Sequence, residues 1–162
     1  MSYYEQTYGE IVDNVTLMNI LNKYIMPKNF IFYDFGSGNG KIVDYFSYFF
    51  EKSIGVEIVK ERYEYALSIK SNNNVKFINK NFFDVKLDNK YVLLANNLCF
   101  GDGTNKRLSY KILNETKCFS FIVVTKKLEL LNKYYLNCFF INCSWGFSEI
   151  YLYYIIIDPN EI

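Results

Sequence analysis

The chain has 162 residues, of which 51% are hydrophobic, 20% aromatic and 22% charged, so it carries the core-forming material of a single domain over 1–162 and is no disordered segment. Lys and Arg number 18 against 17 Asp and Glu, a net charge of +1, which excludes a polybasic tail steering the protein onto phosphate backbones. Histidine is absent, and with it every mechanism that needs a His base, a Ser/His/Asp or Cys/His arrangement, or imidazole-ligated zinc.

A first helix is predicted from near Glu10, with Ile11, Val15, Met18, Leu21 and Ile25 on one face, ending before Pro27. A buried strand follows over 30–35, closed by Gly36-Ser37-Gly38-Asn39-Gly40, after which Ile42, Val43, Phe46 and Phe50 return to helical spacing. Residues 53–57 read as a second strand, and the helix after it carries Val59, Tyr63, Ala66 and Leu67. Strands over 75–78, 91–95 and 119–125 continue the pattern, with a helix over 105–115 between the last two and a short helix over 128–134 after them. Two apolar runs close the chain, 137–143 and 150–157, joined through Ser144-Trp145-Gly146-Phe147-Ser148 as a hairpin at the sheet edge. The fold class expected is α/β: a seven-stranded, mostly parallel sheet with a C-terminal antiparallel hairpin and helices on both faces.

Cys99, Cys118, Cys138 and Cys143 form no C-x-x-C pair and lie on apolar-rich segments, the expectation being free, buried thiols and neither a metal site nor a disulfide. The first ten residues lack a signal pattern, and no apolar run reaches about 18 residues, the length a membrane-spanning helix needs. An intracellular protein without membrane contact is expected.

Gly36, Gly38 and Gly40 sit where the backbone must turn sharply off a buried strand and let a nucleotide-like ligand come close. A dinucleotide fingerprint would put its third small residue where Lys41 stands, so the spacing argues against NAD or FAD. Glu57 closes the second strand, placed to accept both hydroxyls of a ribose bound over the loop. The plain alternative is a tight turn beside an ordinary exposed glutamate. Asp34 argues against it, because a carboxylate inside an apolar strand needs loop amides or a ligand cation to hold it, and S-adenosylmethionine carries such a cation in its amino group.

Taken together, the motifs resemble class I S-adenosylmethionine-dependent methyltransferases, with their Rossmann-like fold, and within them the disruptor-of-telomeric-silencing family of non-SET histone H3 lysine methyltransferases. Tyr8-Gly9-Glu10 is similar to that family's entry loop and Asp34-Phe35-Gly36-Ser37-Gly38-Asn39-Gly40 to its cofactor loop. Gly55-Val56-Glu57 resembles its ribose strand, and Asn96-Asn97-Leu98-Cys99-Phe100-Gly101 its active-site turn. Val124-Thr125-Lys126, Ser144-Trp145, Tyr153-Tyr154 and Asp158 extend the likeness through the last three strands. The resemblance implies that Glu10, Asp34, Gly36, Ser37, Gly38, Gly40 and Glu57 hold S-adenosyl-L-methionine, with Phe82 stacked on the adenine and Asn81 beside its exocyclic amine. It implies that Asn96 lines the catalytic end, and that Tyr8, Phe100, Trp145 and a late tyrosine, Tyr153, wall the channel for the substrate lysine. Asn81 departs from the acid usual in the family, Ile11 from a hydroxyl residue, and Leu152 stands where a tyrosine is expected.

Methyl transfer from a sulfonium asks for alignment, desolvation and a neutral nucleophile, and needs no strong base. Leu98 and Cys99 stand where amino-adenine methyltransferases have prolines, and no cysteine follows a proline, so base methylation is disfavoured. The reading is a protein-lysine N-methyltransferase, with histone H3 in nucleosomes the favoured substrate and the nucleus the implied location. A non-histone protein lysine, or a module that binds the cofactor without transfer, are the alternatives. The family's nucleosomal members add a helical extension and a basic segment that this sequence does not show, so weak or no autonomous DNA binding is expected, leaving either a recruiting partner or a substrate other than the nucleosome. Richness in Asn, Ile, Lys, Tyr and Phe suits an AT-biased genome such as that of a virus or a parasite, and for a virus the nucleus would be the host's.

Overall fold

A computed structural model describes residues 9–88 and 90–157. Among them, chain order runs α1 (Asn14–Asn22), β1 (Ile31–Phe35), α2 (Lys41–Phe46), β2 (Lys52–Val56), α3 (Lys60–Ile69), β3 (Val75–Ile78), β4 (Tyr91–Ala95), α4 (Asp102–Glu115), β5 (Phe119–Val124), β6 (Tyr135–Cys143) and β7 (Gly146–Ile156). Short 3-10 turns occupy Pro27–Asn29, Phe82–Asp84 and Glu129–Tyr134. The strands form one seven-stranded sheet in the order β3-β2-β1-β4-β5-β7-β6. The first five pair in parallel, while β7 runs antiparallel to both β5 and β6. The α/β sheet with a C-terminal hairpin and helices on both faces is the one expected.

Two apolar layers sandwich this sheet. On one face Phe32, Val92, Leu94, Phe121 and Val123 meet Leu17, Met18 and Leu21 of α1, Val43 and Phe46 of α2, and Ala66 of α3. On the other, Ile31, Tyr33, Phe35, Leu93 and Ile122 meet Leu108 and Ile112 of α4. Strands β1 and β4 are buried along their whole length, which is why they read as unbroken apolar runs and not as alternation. Chain order reverses direction across the sheet between β1 and β4, and in open sheets of this kind ligands bind outside the carboxyl ends of the strands at that switch.

Several boundaries differ from expectation. The first helix starts at Asn14, because the Asp13 carboxylate accepts from the Thr16 backbone N–H at 3.1 Å and from its hydroxyl at 2.6 Å and so caps the first turn. Val15 is therefore exposed, and the preceding residues are extended: Ile11 bridges to Cys143, and the N–H groups of Val12 and Asp13 donate to the Asn142 carbonyl. The stretch expected to join β6 and β7 is mostly strand, since the register runs to Cys143 opposite Gly146 and leaves Ser144-Trp145 as a two-residue turn. Gly146 takes φ +116° there, a value natural to glycine. The helix of 105–115 begins earlier, at Asp102, and the segment expected as a short helix over 128–134 is a 3-10 turn. Of the four thiols, Cys143 is buried and Cys138 half-buried, but Cys99 and Cys118 are exposed, because both sit on connections outside the strands.

Gly40 shows how closely the loop is fitted to the layer beneath it. It has φ +80°, and a Cβ there would lie 2.6 Å from the Phe77 ring and 2.8 Å from Ala66 Cβ. Gly40→Ala is expected to cost about 3 kcal/mol, combining left-handed strain with overpacking, and so to lower the melting temperature by roughly 6–12 °C. An unchanged melt would mean that the loop and Phe77 move apart freely.

Candidate active site

At the carboxyl end of β1 the chain leaves the sheet through Gly36, Gly38 and Gly40, all with positive φ. The N–H groups of Gly36 and Ser37 donate to the Val56 carbonyl at 2.8 and 3.0 Å, tying the loop to the end of β2. Glu57, the next residue, is buried and bridges two segments: its Oε1 accepts from Gly38 N–H at 2.8 Å and its Oε2 from Val59 N–H at 3.0 Å. A Cβ on Gly36 would meet nothing within 4 Å. The loop thus presents open backbone to the space above it.

That space is a cleft of about 410 Å³, open to solvent, between the loop, the extended segment at Gly9–Ile11 and the end of β4 at Asn96. Asp34 lines it, on the same face of β1 as Phe32 and beside Ile42 of α2 and Leu94 of β4. Its carboxyl receives no hydrogen bond from the described residues, and burial, with the Glu57 and Glu10 carboxylates nearby, pushes its pKa up to about 8. The Ser37 hydroxyl is likewise buried without a partner. No lysine or arginine lines the cleft among the described residues, and no group of three carboxylates or thiols there has the geometry to share a metal ion. An acidic cleft with an unpaired carboxyl and an unpaired hydroxyl suits a cationic ligand that also brings polar groups.

Glu10 reaches the cleft from a strand-like segment that the sequence does not announce. Its N–H donates to Ser144 Oγ at 3.0 Å, its carbonyl accepts from Ser144 N–H at 2.8 Å, and its carboxylate accepts from Asn39 Nδ2 at 3.4 Å. Trp145 packs on Gly9 so closely that a Cβ at Gly9 would lie 2.5 Å from the indole. Asn96 holds the same residue from the other side, donating from Nδ2 to the Gly9 carbonyl at 3.0 Å while its Oδ1 accepts from the Thr125 hydroxyl at 2.8 Å. Asn96, Trp145 and Glu10 are therefore brought together around Gly9. Tyr8 and Asp158 lie outside the described residues.

The remaining expected site residues divide. Phe82 stacks on Phe35 with centroids 4.9 Å apart, and Phe100 stacks on Phe82 at 5.8 Å, so Phe100 joins the ring expected at adenine. Asn81 caps the turn after β3, its Oδ1 accepting from Phe83 N–H at 3.0 Å. Tyr153 is fully buried in the opposite layer, and its hydroxyl accepts from Leu128 N–H at 2.9 Å. It packs as core and does not join the other expected channel residues. Ile11 is buried and lines the cleft, and Leu152 is buried in the layer beside it.

Asn97 is a residue that motif reading quoted without a role. It is fully buried; its Oδ1 accepts from the N–H groups of Thr125 and Lys126 at 3.0 and 2.9 Å, and its Nδ2 donates to Asn105 Oδ1 and the Lys126 carbonyl. It welds the ends of β4 and β5 to α4. A buried asparagine straight after an apolar strand was the available signal, since such a side chain must be fully paired.

The same architecture occurs in solved methyltransferases. An RNA methyltransferase from Salinibacter ruber in complex with S-adenosyl-L-homocysteine is 15% identical, with TM-score 0.69, covering 91% of this chain and 95% of that one. N-methyltransferase NodS from Bradyrhizobium japonicum WM9 is 6% identical, with TM-score 0.71, covering 89% and 94%. Magnesium protoporphyrin IX methyltransferase from Synechocystis PCC 6803, with bound SAM, is 11% identical, with TM-score 0.66, covering 88% and 77%. The fold is thus the Rossmann-like one of methyltransferases. No curated protein matches the chain in sequence. The family described as histone methylation protein DOT1 matches residues 1–138, and the chain belongs to that family.

Proposed function

We propose that the protein is an S-adenosylmethionine-dependent protein-lysine N-methyltransferase, directed at histone H3 in nucleosomes. The observation that carries this reading is the acidic cleft, with its unpaired Asp34 carboxyl, in a chain of the DOT1 family. The cofactor, when bound, supplies a methyl group made electrophilic by its sulfonium. Asp34 and Glu10 take the amino group, Ser37 offers its unpaired hydroxyl to the methionine end, and Gly36, Gly38 and Gly40 let the loop backbone approach. Glu57 accepts the ribose hydroxyls with lone pairs left over from its two amide contacts. Phe82 faces the adenine, and Asn81 Oδ1 retains a second lone pair for the exocyclic amine.

Asn96, Trp145 and Gly9 form the mouth at which a substrate nitrogen arrives, with Phe100 on the side of Phe82. A lysine ammonium with an ordinary pKa near ~10.4 must shed its proton first, and desolvation against aromatic surface lowers that pKa. Water can accept the proton, so the absence of histidine from the chain is no obstacle. With a net charge of +1 the chain has little electrostatic draw to DNA, and nucleosome engagement calls for a recruiting partner in the nucleus.

The test is label transfer from tritiated S-adenosylmethionine to nucleosomes, free histones and a cell extract, with Glu57→Ala alongside. Label on H3 only within nucleosomes, lost in Glu57→Ala, is expected. Label on a non-histone band would keep the chemistry and replace the substrate. No label, with calorimetric cofactor binding intact, would contradict transfer and leave a binding module.

A further inference from the structure

The outer part of the β6–β7 hairpin carries a cluster that the methyl-transfer reading leaves unused. Tyr135 and Cys138 of β6 face the same side as Glu149 and Tyr151 of β7, although the three-residue spacing of Tyr135 and Cys138 would put that pair on opposite faces of a regular strand. An irregularity between Tyr135 and Asn137 shifts the register by one residue and makes this possible. Bulges of this kind re-aim side chains. Here the result is two tyrosine rings beside a carboxylate on an exposed sheet edge.

The group between the rings is a cation. Lys127 Nζ lies 5.6 Å from the centroid of Tyr135 and 5.6 Å from that of Tyr151. Behind it the Glu149 carboxylate accepts from the Tyr151 hydroxyl at 2.9 Å and from Cys138 Sγ at 3.3 Å. Burial, and after it the hydrogen bond to Glu149, push the Tyr151 phenol up to about 12, so the ring stays neutral. Lys127 is exposed, forms no ion pair among the described residues, and lies near the outer limit of about 6 Å for a cation–π contact. It is held loosely enough to be displaced.

We propose that Tyr135, Tyr151 and Glu149 form a cradle for an alkylammonium group, that Lys127 is its resident placeholder, and that the ligand is a methylated lysine side chain of a protein. Two π faces and one carboxylate are the components that recognise a cation too weakly hydrated to prefer water, and methylation of an ammonium lowers its hydration in this way. Lys127 follows Lys126, whose N–H is fixed by Asn97, so the placeholder is tethered to the strand end that carries the candidate active site. The cradle stands independently of the catalytic reading. It would bind methyl-lysine even if the chain transferred no methyl group.

The experiment follows tyrosine-ring NMR signals during titration with a short peptide bearing one Nε-trimethyl-lysine, its unmodified twin, and tetramethylammonium chloride. Lys127→Ala is expected to bind the trimethylated peptide and tetramethylammonium about tenfold more tightly than the parent protein, with shifts at Tyr135 and Tyr151. Adding Tyr151→Ala or, should that variant unfold, Glu149→Gln to Lys127→Ala should remove most of this gain. Equal affinity in the parent and Lys127→Ala would overturn the proposal. So would shifts confined to the Glu10–Asp34 cleft, or undiminished binding in the double variant.

Discussion

Unfolding of the ligand-free protein followed across pH should show stability falling as pH rises from about 4 to about 8. The cause is Asp34, whose carboxyl has an ordinary value of 3.8 in the unfolded chain and about 8 in the fold. Between those values the native state holds a proton that the unfolded state has lost, so the slope of stability against pH is negative. It reaches at most about 1.4 kcal/mol per pH unit. The Asp34 contribution is complete below about pH 4 and is gone above about pH 8. Asp13 and Glu149, whose hydrogen bonds hold their carboxyls below the usual range, act in the opposite sense but only in more acid solution. Asp34→Asn should flatten the slope and raise the melting temperature at pH 8 by at least roughly 4–8 °C, because the amide has no charge to bury. The same change should abolish cofactor binding. A gain in stability joined to a loss of binding would mark Asp34 as a group kept for its ligand.

Asn96→Ala is expected to lower methyl transfer by at least about a hundredfold, with cofactor affinity falling by less than about tenfold, the scale of one or two hydrogen bonds. Asn96 joins the Gly9 carbonyl to the Thr125 hydroxyl, and Trp145 rests on the far side of Gly9. In the proposed mechanism its loss frees the wall at which a substrate nitrogen would arrive, while Glu57 and the glycine loop stay in place. Thr125→Val removes only the hydroxyl that orients Asn96, and a smaller fall in kcat with unchanged KM for the cofactor is expected. Full activity in Asn96→Ala would remove that residue from the mechanism.

Most of the sheet was legible in the sequence as local pattern. Tyr91–Ala95 is a short apolar run bounded by polar turns, and burial on both faces leaves little else for it to be, whereas Val75–Ile78 at the sheet edge shows the alternation of a strand with one exposed face, Lys76 pointing out between Val75 and Phe77. The turn from Gly36 to Gly40 was legible because three glycines straight after a buried strand let the backbone take the positive φ values that a sharp exit needs. Where reading failed, partners distant in sequence decided the outcome. Residues 10–13 follow helical spacing, but they pair with Asn142, Cys143 and Ser144 at the far end of the chain, contacts that no local pattern records. Tyr153 looked like a channel residue by its place in a motif, yet strand alternation turns it into the layer beneath α4. The Tyr135 cluster was hidden for a related reason, since a one-residue irregularity reverses the face on which its side chains fall.

The most direct measurement is an isothermal calorimetric titration of the protein with S-adenosylmethionine at pH 7, in two buffers of different ionisation enthalpy. The account predicts one site per chain and release of close to one proton, because the carboxyl of Asp34, protonated below about pH 8, must ionise to hold the ligand's ammonium. Binding without proton release, or no binding at millimolar ligand, would contradict it.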